Sequence, residues 1–526
     1  MQPVLTADES RKFDKHLIEQ IGIPSLVLME SAARGSIETI RSWLNHDSEV
    51  VIFAGPGNNG GDGFAIGRLL LELGIQPTVL LAANPENLSR DAKAQYDILA
   101  KLLDPEEIYP IERAEDALEL VEAPDIIIDA LLGTGSKGAL RGRIEEAAKA
   151  ILQLQEWHGS KVLAVDLPTG LDSDAGIYDN GGELPLMVRA ERTVTMGAPK
   201  IGFYKGVSRK YTGGISIARL GAPYPAELFG NAPEAYLLSE SDVAPLIPPF
   251  PFNASKYSRG RILAVCGSRG MTGAAIMSAT AALKSGTGWV TVAVPESQRA
   301  IVAQAAPELV TIGIAESANG SPTLEAWNDI QHEFEHCTAV VIGCGYQPFE
   351  ETAELVRRIV AEVQKPMVID GGALRSLADG LEILNSRNAA TILTPNSGEL
   401  SALTGTTREE VERDLLAAGR SIAMKYPVTV IAKGAPEIIV ASDGTAYINT
   451  TGGPGMGTAG TGDVLAGLTT TMLAHKPDSP ANAAIAATYL CGLAGDIAAR
   501  EMTTHGMSAT EIIMRIPKAF KALGIR

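Results

Sequence analysis

The chain has only four cysteines in 526 residues, and none of them forms a Cys-x-x-Cys pair. That is too few for a disulfide scaffold, so the thiols are expected reduced and buried. Basic residues are outnumbered as well: 44 Lys and Arg against 62 Asp and Glu leave a net charge of −18. This excludes the broad basic face that captures a nucleic-acid polymer. No long hydrophobic run is present. The longest, ANAAIAATYLCGLAG from Ala481 to Gly495, is too short to span a bilayer and is alanine-rich like a buried helix. The N-terminal MQPVLTADESRKFDKHLIEQ mixes acids and bases without an apolar secretory core. A cytoplasmic protein with no membrane partner is expected.

Hydrophobic residues make up 45% of the chain and charged residues 20%, a balance that folds into globular cores. At roughly 150 residues per domain, the length calls for at least two. Seven prolines crowd between Pro223 and Pro251, which places a junction at 223–255 between domains at 1–222 and 256–526. On each side, short β-branched runs alternate with helical segments, the pattern of α/β units on a mainly parallel sheet. The first half offers strands at 49–55, 77–82, 125–130, 161–166, 192–196 and 214–218, with helices over 64–73 and 141–155. The second offers strands at 261–267, 289–295, 338–344, 366–370, 390–394, 427–433 and 437–442, with final helices from about 461, 480 and 508. Two three-layer α/β domains are expected.

Glycine is abundant, with 54 residues, and it clusters: five lie in 55–63, four in 133–142, three in 267–273 and six in 452–462. In FAGPGNNGGDGFAIGRLL (53–70) a buried strand runs through a glycine-rich turn into a helix start. The turn formally satisfies G-x-G-x-x-G, whose glycines let the backbone approach a pyrophosphate. The following strand lacks the acid expected at a ribose hydroxyl, so hydride transfer is a poor reading. Two more strand ends, DALLGTGSKGA (129–139) and AVDLPTG (164–170), carry Asp129 with a glycine loop, then Asp166 and Thr169. Ligands of open α/β sheets sit at such carboxyl ends.

With GPGNNGGDG, DALLGTG and the D-x-P-[ST]-G loop, residues 1–220 resemble the NAD(P)H-hydrate epimerases. The resemblance implies a Rossmann-like sheet and a dinucleotide lined by Asn58, Asn59, Gly60, Gly61 and Asp62 on one strand end. On the next it implies Gly133, Thr134, Gly135, Ser136, Lys137, Gly138 and Ala139. It also implies a potassium ion held by Asn59, Asp129 and Thr169, with Asp166 facing the damaged nicotinamide ring. Placed there, Asp166 is the candidate acid/base at the hydrated carbon.

In the second half, KYSRGRILAVCGSRGMTGAA (256–275) leads a strand into a glycine turn and helix, and GGPGMGTAGTGDVLAGL (452–468) sets Asp463 at the start of an apolar helix. Backbone N–H groups and the helix end can stabilise charge on a transferring phosphoryl group, and Asp463 can take a proton from a hydroxyl. This combination resembles the ribokinase-like superfamily. Through VIGCG (341–345), TPNSGEL (394–400) and AKGAPE (432–437) it resembles in particular the ADP-dependent NAD(P)H-hydrate dehydratases. By that resemblance, Ala274, Gly345, Asn396, Ser397, Gly398 and Glu399 contact the hydrate. Lys433, Gly434, Ala435 and Pro436, then Gly453, Gly455, Thr458, Gly460, Thr461 and Gly462, hold the adenine nucleotide. Asp463 is the base, and magnesium accompanies the ADP phosphates. Where the family often has His in T-P-H-x-G-E, this chain has Asn396, which cannot carry a proton.

The literal H-E-x-x-H at 332–336 is followed at once by a strand and reads as a solvated helix end rather than a zinc site. The favoured reading is a bifunctional repair enzyme for hydrated NADH and NADPH, acting on small molecules and assembling as a homo-oligomer. Its rivals are a kinase of a small vitamin alcohol, or an N-terminal domain that only binds.

Overall fold

The central strands of the first half are mostly apolar because they bury both faces. In the computed structural model, Val50, Ile52, Ile126, Ile128, Leu163 and Val165 pack into one core. The alternate residues Val51, Phe53, Ile127, Val162 and Ala164 pack into another. Successive side chains of a strand point to opposite faces, so one continuous apolar run feeds two layers of helices. The first face is covered by helices Ser25–Ile40, Asn58–Glu72 and Arg90–Leu99, and the second by Ala114–Leu120 and Gly142–His158.

The structure describes residues 1–103, 107–136, 138–177, 184–224, 233–347 and 349–525. Two units emerge, Pro3–Ala235 and Tyr236–Arg526, with Met1 and Gln2 counted in the second. The first is a seven-stranded parallel sheet in the order Ile108–Pro110, Thr78–Leu81, Val50–Ala54, Ile126–Ala130, Lys161–Val165, Arg192–Met196 and Gly214–Ala218. The order reverses between Val50–Ala54 and Ile126–Ala130, which opens a ligand crevice at their carboxyl ends.

In the second unit, strands Val310–Ile314, Trp289–Pro295, Arg261–Val265, Ala339–Ile342, Met367–Ile369, Thr391–Leu393 and Thr429–Ala432 run parallel in that order. An antiparallel meander, Ile438–Val440 and Ala446–Ile448, extends the sheet, and Ala235–Leu237 joins beyond it. One face packs on helices Thr272–Lys284, Thr461–His475, Pro480–Met502 and Ala509–Ala522. On the opposite face, Gly419 of helix Leu415–Ala423 meets Val430 and Val440. The alanine-rich helix Pro480–Met502 is, at 23 residues, long and apolar enough to cross a membrane. It lies instead in the core, with Ala484, Ile485, Leu490 and Cys491 fully buried. All four cysteines are buried and free.

The structure departs from the sequence expectations in three places. Residues 236–255, read as linker, bury Leu238, Val243 and Ile247 in the second core and so belong to that unit. The helix expected from Phe64 begins at Asn58, so Gly60, Gly61 and Gly63 are helical. A Cβ on Gly60 would lie 2.0 Å from the Gly55 carbonyl, and one on Gly61 2.6 Å from Met29, so these glycines serve close packing rather than a loop. Strands Gln2–Val4, Ile108–Pro110, Ala235–Leu237, Val310–Ile314 and Ala446–Ile448 lie outside the expected set because they are short or only partly buried.

Candidate active sites

In the first unit Asn59, Asp129, Gly133, Asp166 and Thr169 converge on the carboxyl ends of the central strands, while Gly135, Gly138 and Ala139 are exposed. Asp129 closes the strand Ile126–Ala130 and is fully buried. Its Oδ1 accepts from Thr169 Oγ1 at 2.7 Å and its Oδ2 from Thr169 N at 2.8 Å. Burial pushes its carboxyl up to about 6, against the pull of those hydrogen bonds. Asn59 donates through Nδ2 to the Leu132 carbonyl at 3.0 Å, while its Oδ1 is buried without a partner. Asn58 accepts from Ser89 Oγ at 2.7 Å. A Cβ on Gly133 would stand 3.0 Å from Asp166 Oδ2 and 3.6 Å from Asn59 Cβ, so glycine there lets the three segments meet. Ser136 turns its hydroxyl back to the Gly133 carbonyl at 3.0 Å. Lys137 lies outside the described residues.

Asp166 follows the strand Lys161–Val165 with φ at +67°, a left-handed conformation that costs energy in a non-glycine residue. Its Oδ2 accepts from Thr134 N at 3.0 Å and its Oδ1 from Lys200 Nζ at 2.6 Å. Burial raises this carboxyl, but the charge and hydrogen bond of Lys200, with the backbone N–H groups of Thr134 and Met196, together hold it below the usual carboxylate range. Asp62, also buried, is pushed well above that range by burial and by the charges of Asp166 and Asp14. Lys200 is the residue that sequence reasoning missed here. Its signal was a lysine inside the otherwise uncharged MGAPKIGFY, just past a strand.

The second unit gathers its site the same way. Gly345 and Ala274 meet, since a Cβ on Gly345 would lie 2.9 Å from Ala274 Cβ. Ser268 Oγ, beside them, donates to the Gly345 carbonyl at 2.7 Å. Asn396 caps helix Ser397–Thr404: Oδ1 accepts from Glu399 N and the Asn396 N–H donates to Glu399 Oε2, both at 2.9 Å. This is the capping box expected for a Glu three residues after an Asn. Gly398 lies beneath it, while Ser397 points its hydroxyl to Glu412 at 2.9 Å.

Lys433, at the end of the strand Thr429–Ala432, places Nζ 2.7 Å from Asp370 Oδ1 and 3.9 Å from Glu399 Oε2. A Cβ on Gly462 would lie 3.1 Å from the same Nζ, which puts the ammonium beside the glycine loop. Burial would lower Lys433, but the two carboxylates keep it raised. Asp463, third residue of helix Thr461–His475, lies with Cys344 and Asp370 so that their ligand atoms fall within 4.8 Å of one another. Burial and the Asp370 charge push Asp463 up to about 7, with Lys433 pulling the other way. Gly460 turns the chain into this helix at φ +97°, and Thr461 Oγ1 is buried without a partner. Gly453 stands beside Asp496, Gly455 packs on Met507, Thr458 N–H donates to the Met456 carbonyl, and Gly434 packs on Leu415. Ala435 and Pro436 are joined by a cis peptide bond. Asp370 also went unnoticed in the sequence, although it ends an apolar run, PMVID, as Asp129 and Asp166 end theirs. His332 and His336 of H-E-x-x-H are exposed and belong to no metal-ligating cluster among the described residues.

Residues 25–202 match the family model of the YjeF-related protein N-terminus, and residues 262–518 that of NAD(P)H-hydrate dehydratase. A bifunctional NAD(P)H-hydrate repair enzyme of Moorella thermoacetica is 34% identical over 99% of this chain and 97% of its own. The chain belongs to the bifunctional NAD(P)H-hydrate repair enzymes. A second member, from Hyperthermus butylicus, is 36% identical over 95% of this chain and 89% of its own. Membership across both units favours the repair reading over a vitamin kinase, and the open parallel sheet of the first unit, helices on both faces, is the Rossmann-like arrangement expected. A solved ADP/ATP-dependent NAD(P)H-hydrate dehydratase from Bacillus subtilis is 24% identical, covering 55% of this chain and 99% of its own, with a TM-score of 0.47.

Proposed function

We propose that the first unit interconverts the R and S epimers of hydrated NADH and NADPH, and that the second dehydrates the S form at the expense of ADP. The observation that carries the dehydratase assignment is Asp463, a carboxyl near neutrality in the first turn of a helix that follows a glycine loop. Asp463 takes the proton of the substrate 6-hydroxyl as its oxygen attacks the β-phosphorus of ADP. The bond to the AMP oxygen breaks and AMP departs. Phosphate then leaves carbon 6 with its bonding electrons, a proton leaves carbon 5, and the dihydropyridine is restored. Phosphorylation matters because hydroxide is a poor leaving group. The orphaned Thr461 hydroxyl, the Gly462 amide and the neighbouring Lys433 ammonium are the groups offered to nucleotide phosphates.

Magnesium fits the ADP phosphates better than any cage of side chains. Cys344 offers a soft thiol, and Asp370 already carries the Lys433 ammonium. Potassium fits the first unit: Asn59 Oδ1 is a buried oxygen with no donor, and Leu132, which accepts from Asn59 Nδ2 and donates to Thr169 Oγ1, ties Asn59 to the Asp129–Thr169 pair. Asn59, Asp129 and Thr169 would hold it, and its charge would offset that of the dinucleotide phosphates. Asp166 acts there as the proton acceptor and donor at the hydrated carbon. Exposed Ile18, Ile21, Leu26 and Val27 support the homo-oligomer, which sedimentation would test. The buried helix Pro480–Met502 suits a cytoplasmic setting.

The deciding assay gives the protein both epimers with ADP, ATP or no nucleotide. Full recovery of reduced-nicotinamide absorbance with ADP supports both steps. Recovery of only the S fraction removes the epimerase assignment, and a stable phosphorylated alcohol restores the kinase.

A further inference from the structure

Two buried carboxyl groups, Asp166 and Asp62, and one ammonium lie in the crevice of the first unit, and the exposed Asp14 adds its charge to theirs. Asp166 follows the strand Lys161–Val165, Asp62 belongs to helix Asn58–Glu72 one turn beyond Asn59, and Asp14 belongs to helix Ala7–Glu19. Like charges at this range oppose one another's ionisation: Asp166 raises both Asp62 and Asp14. The ammonium is Lys200, 1% exposed. Its three N–H bonds are committed, to Asp166 Oδ1 at 2.6 Å, Thr195 Oγ1 at 2.7 Å and the Met196 carbonyl at 3.4 Å. With Thr134 N on the other oxygen, Asp166 is gripped at both ends. The grip also holds Asp166 at φ +67°, a conformation its own chain disfavours.

We propose that Lys200 is the positioning residue of the epimerase site: anchored on Thr195, its buried ammonium grips one oxygen of Asp166 and aims that carboxylate at the substrate hydroxyl. This rests on Asp166 being the acid/base of epimerisation. A pair serving stability alone would behave differently, because a buried ion pair contributes little net stability and its loss would change folding without moving a titration in the reaction.

The test uses the full chain and follows R-to-S conversion without nucleotide, over a range of pH. Lys200→Met is expected to lower kcat by about 100-fold or more while KM stays within about threefold, the scale of a mispositioned acid/base group. The acid limb of kcat/KM should move up by about one pH unit or more, since Asp166 then faces Asp62 and Asp14 without its cation. Thr195→Val removes one anchor of the ammonium and should move the same limb the same way by less; it decides the matter if Lys200→Met does not fold. An unmoved acid limb in whichever variant folds overturns the proposal. Failure of the underlying reading looks different: the unaltered protein does not epimerise, or Asp166→Asn epimerises normally.

Discussion

Asp463→Asn keeps the shape of the dehydratase base and removes its ability to accept a proton. The carboxyl is pushed up to about 7 by burial and by Asp370, so it is about half ionised at neutrality. With such a value, about 10% of the protein is competent at pH 6 and about 90% at pH 8, so kcat/KM should rise roughly tenfold between them. The asparagine variant should lose about 10²–10⁴-fold, equivalent to about 2.7–5.4 kcal/mol of transition-state stabilisation. What survives should be flat across the same pH range. The assay supplies the S hydrate with ADP and Mg2+ and follows reduced-nicotinamide absorbance; a separate measurement without ADP follows epimerisation, which should be unchanged. A variant retaining most of its activity, or showing the same tenfold rise, refutes Asp463 as the base. Loss of both activities refutes two independent sites.

Lys433→Met leaves Asp370 and Glu399 without their shared ammonium, and breaking a buried pair in this way costs about 3–5 kcal/mol. Urea unfolding of the second unit measures that loss. Because Lys433 pulls Asp463 down, its removal should also carry the acid limb of dehydration above about pH 7. Gly467→Ala would place a Cβ 2.0 Å from the Ser278 carbonyl, forcing helices Thr461–His475 and Thr272–Lys284 apart at about 1–3 kcal/mol, again read by urea. Asn59→Leu removes the partnerless buried oxygen and should abolish the response of epimerisation to potassium over sodium while dehydration persists. An undiminished potassium response would place the ion elsewhere.

The α/β alternation was legible because strands buried on both faces must be apolar throughout, as in DIIIDA and KVLAVD, and because a polar residue ending such a run marks the carboxyl edge of a parallel sheet. The glycine loops were legible for the same reason, since backbone that must approach phosphate or other backbone excludes a Cβ. Asp129, Asp166 and Asp463 could therefore be named from their place in the chain. Their states could not. Whether Asp166 is ionised depends on Lys200, 34 residues away and reached only through the neighbouring strand Arg192–Met196. Asp463 is held near neutrality by burial and by Asp370, which comes from a different strand end, and Lys433 from a third tempers it. Sequence determined which groups stand at the sheet edge, because burial pattern and turn chemistry are local. Only the tertiary structure decided which of them share a proton balance, because charges act through space and packing alone sets those distances.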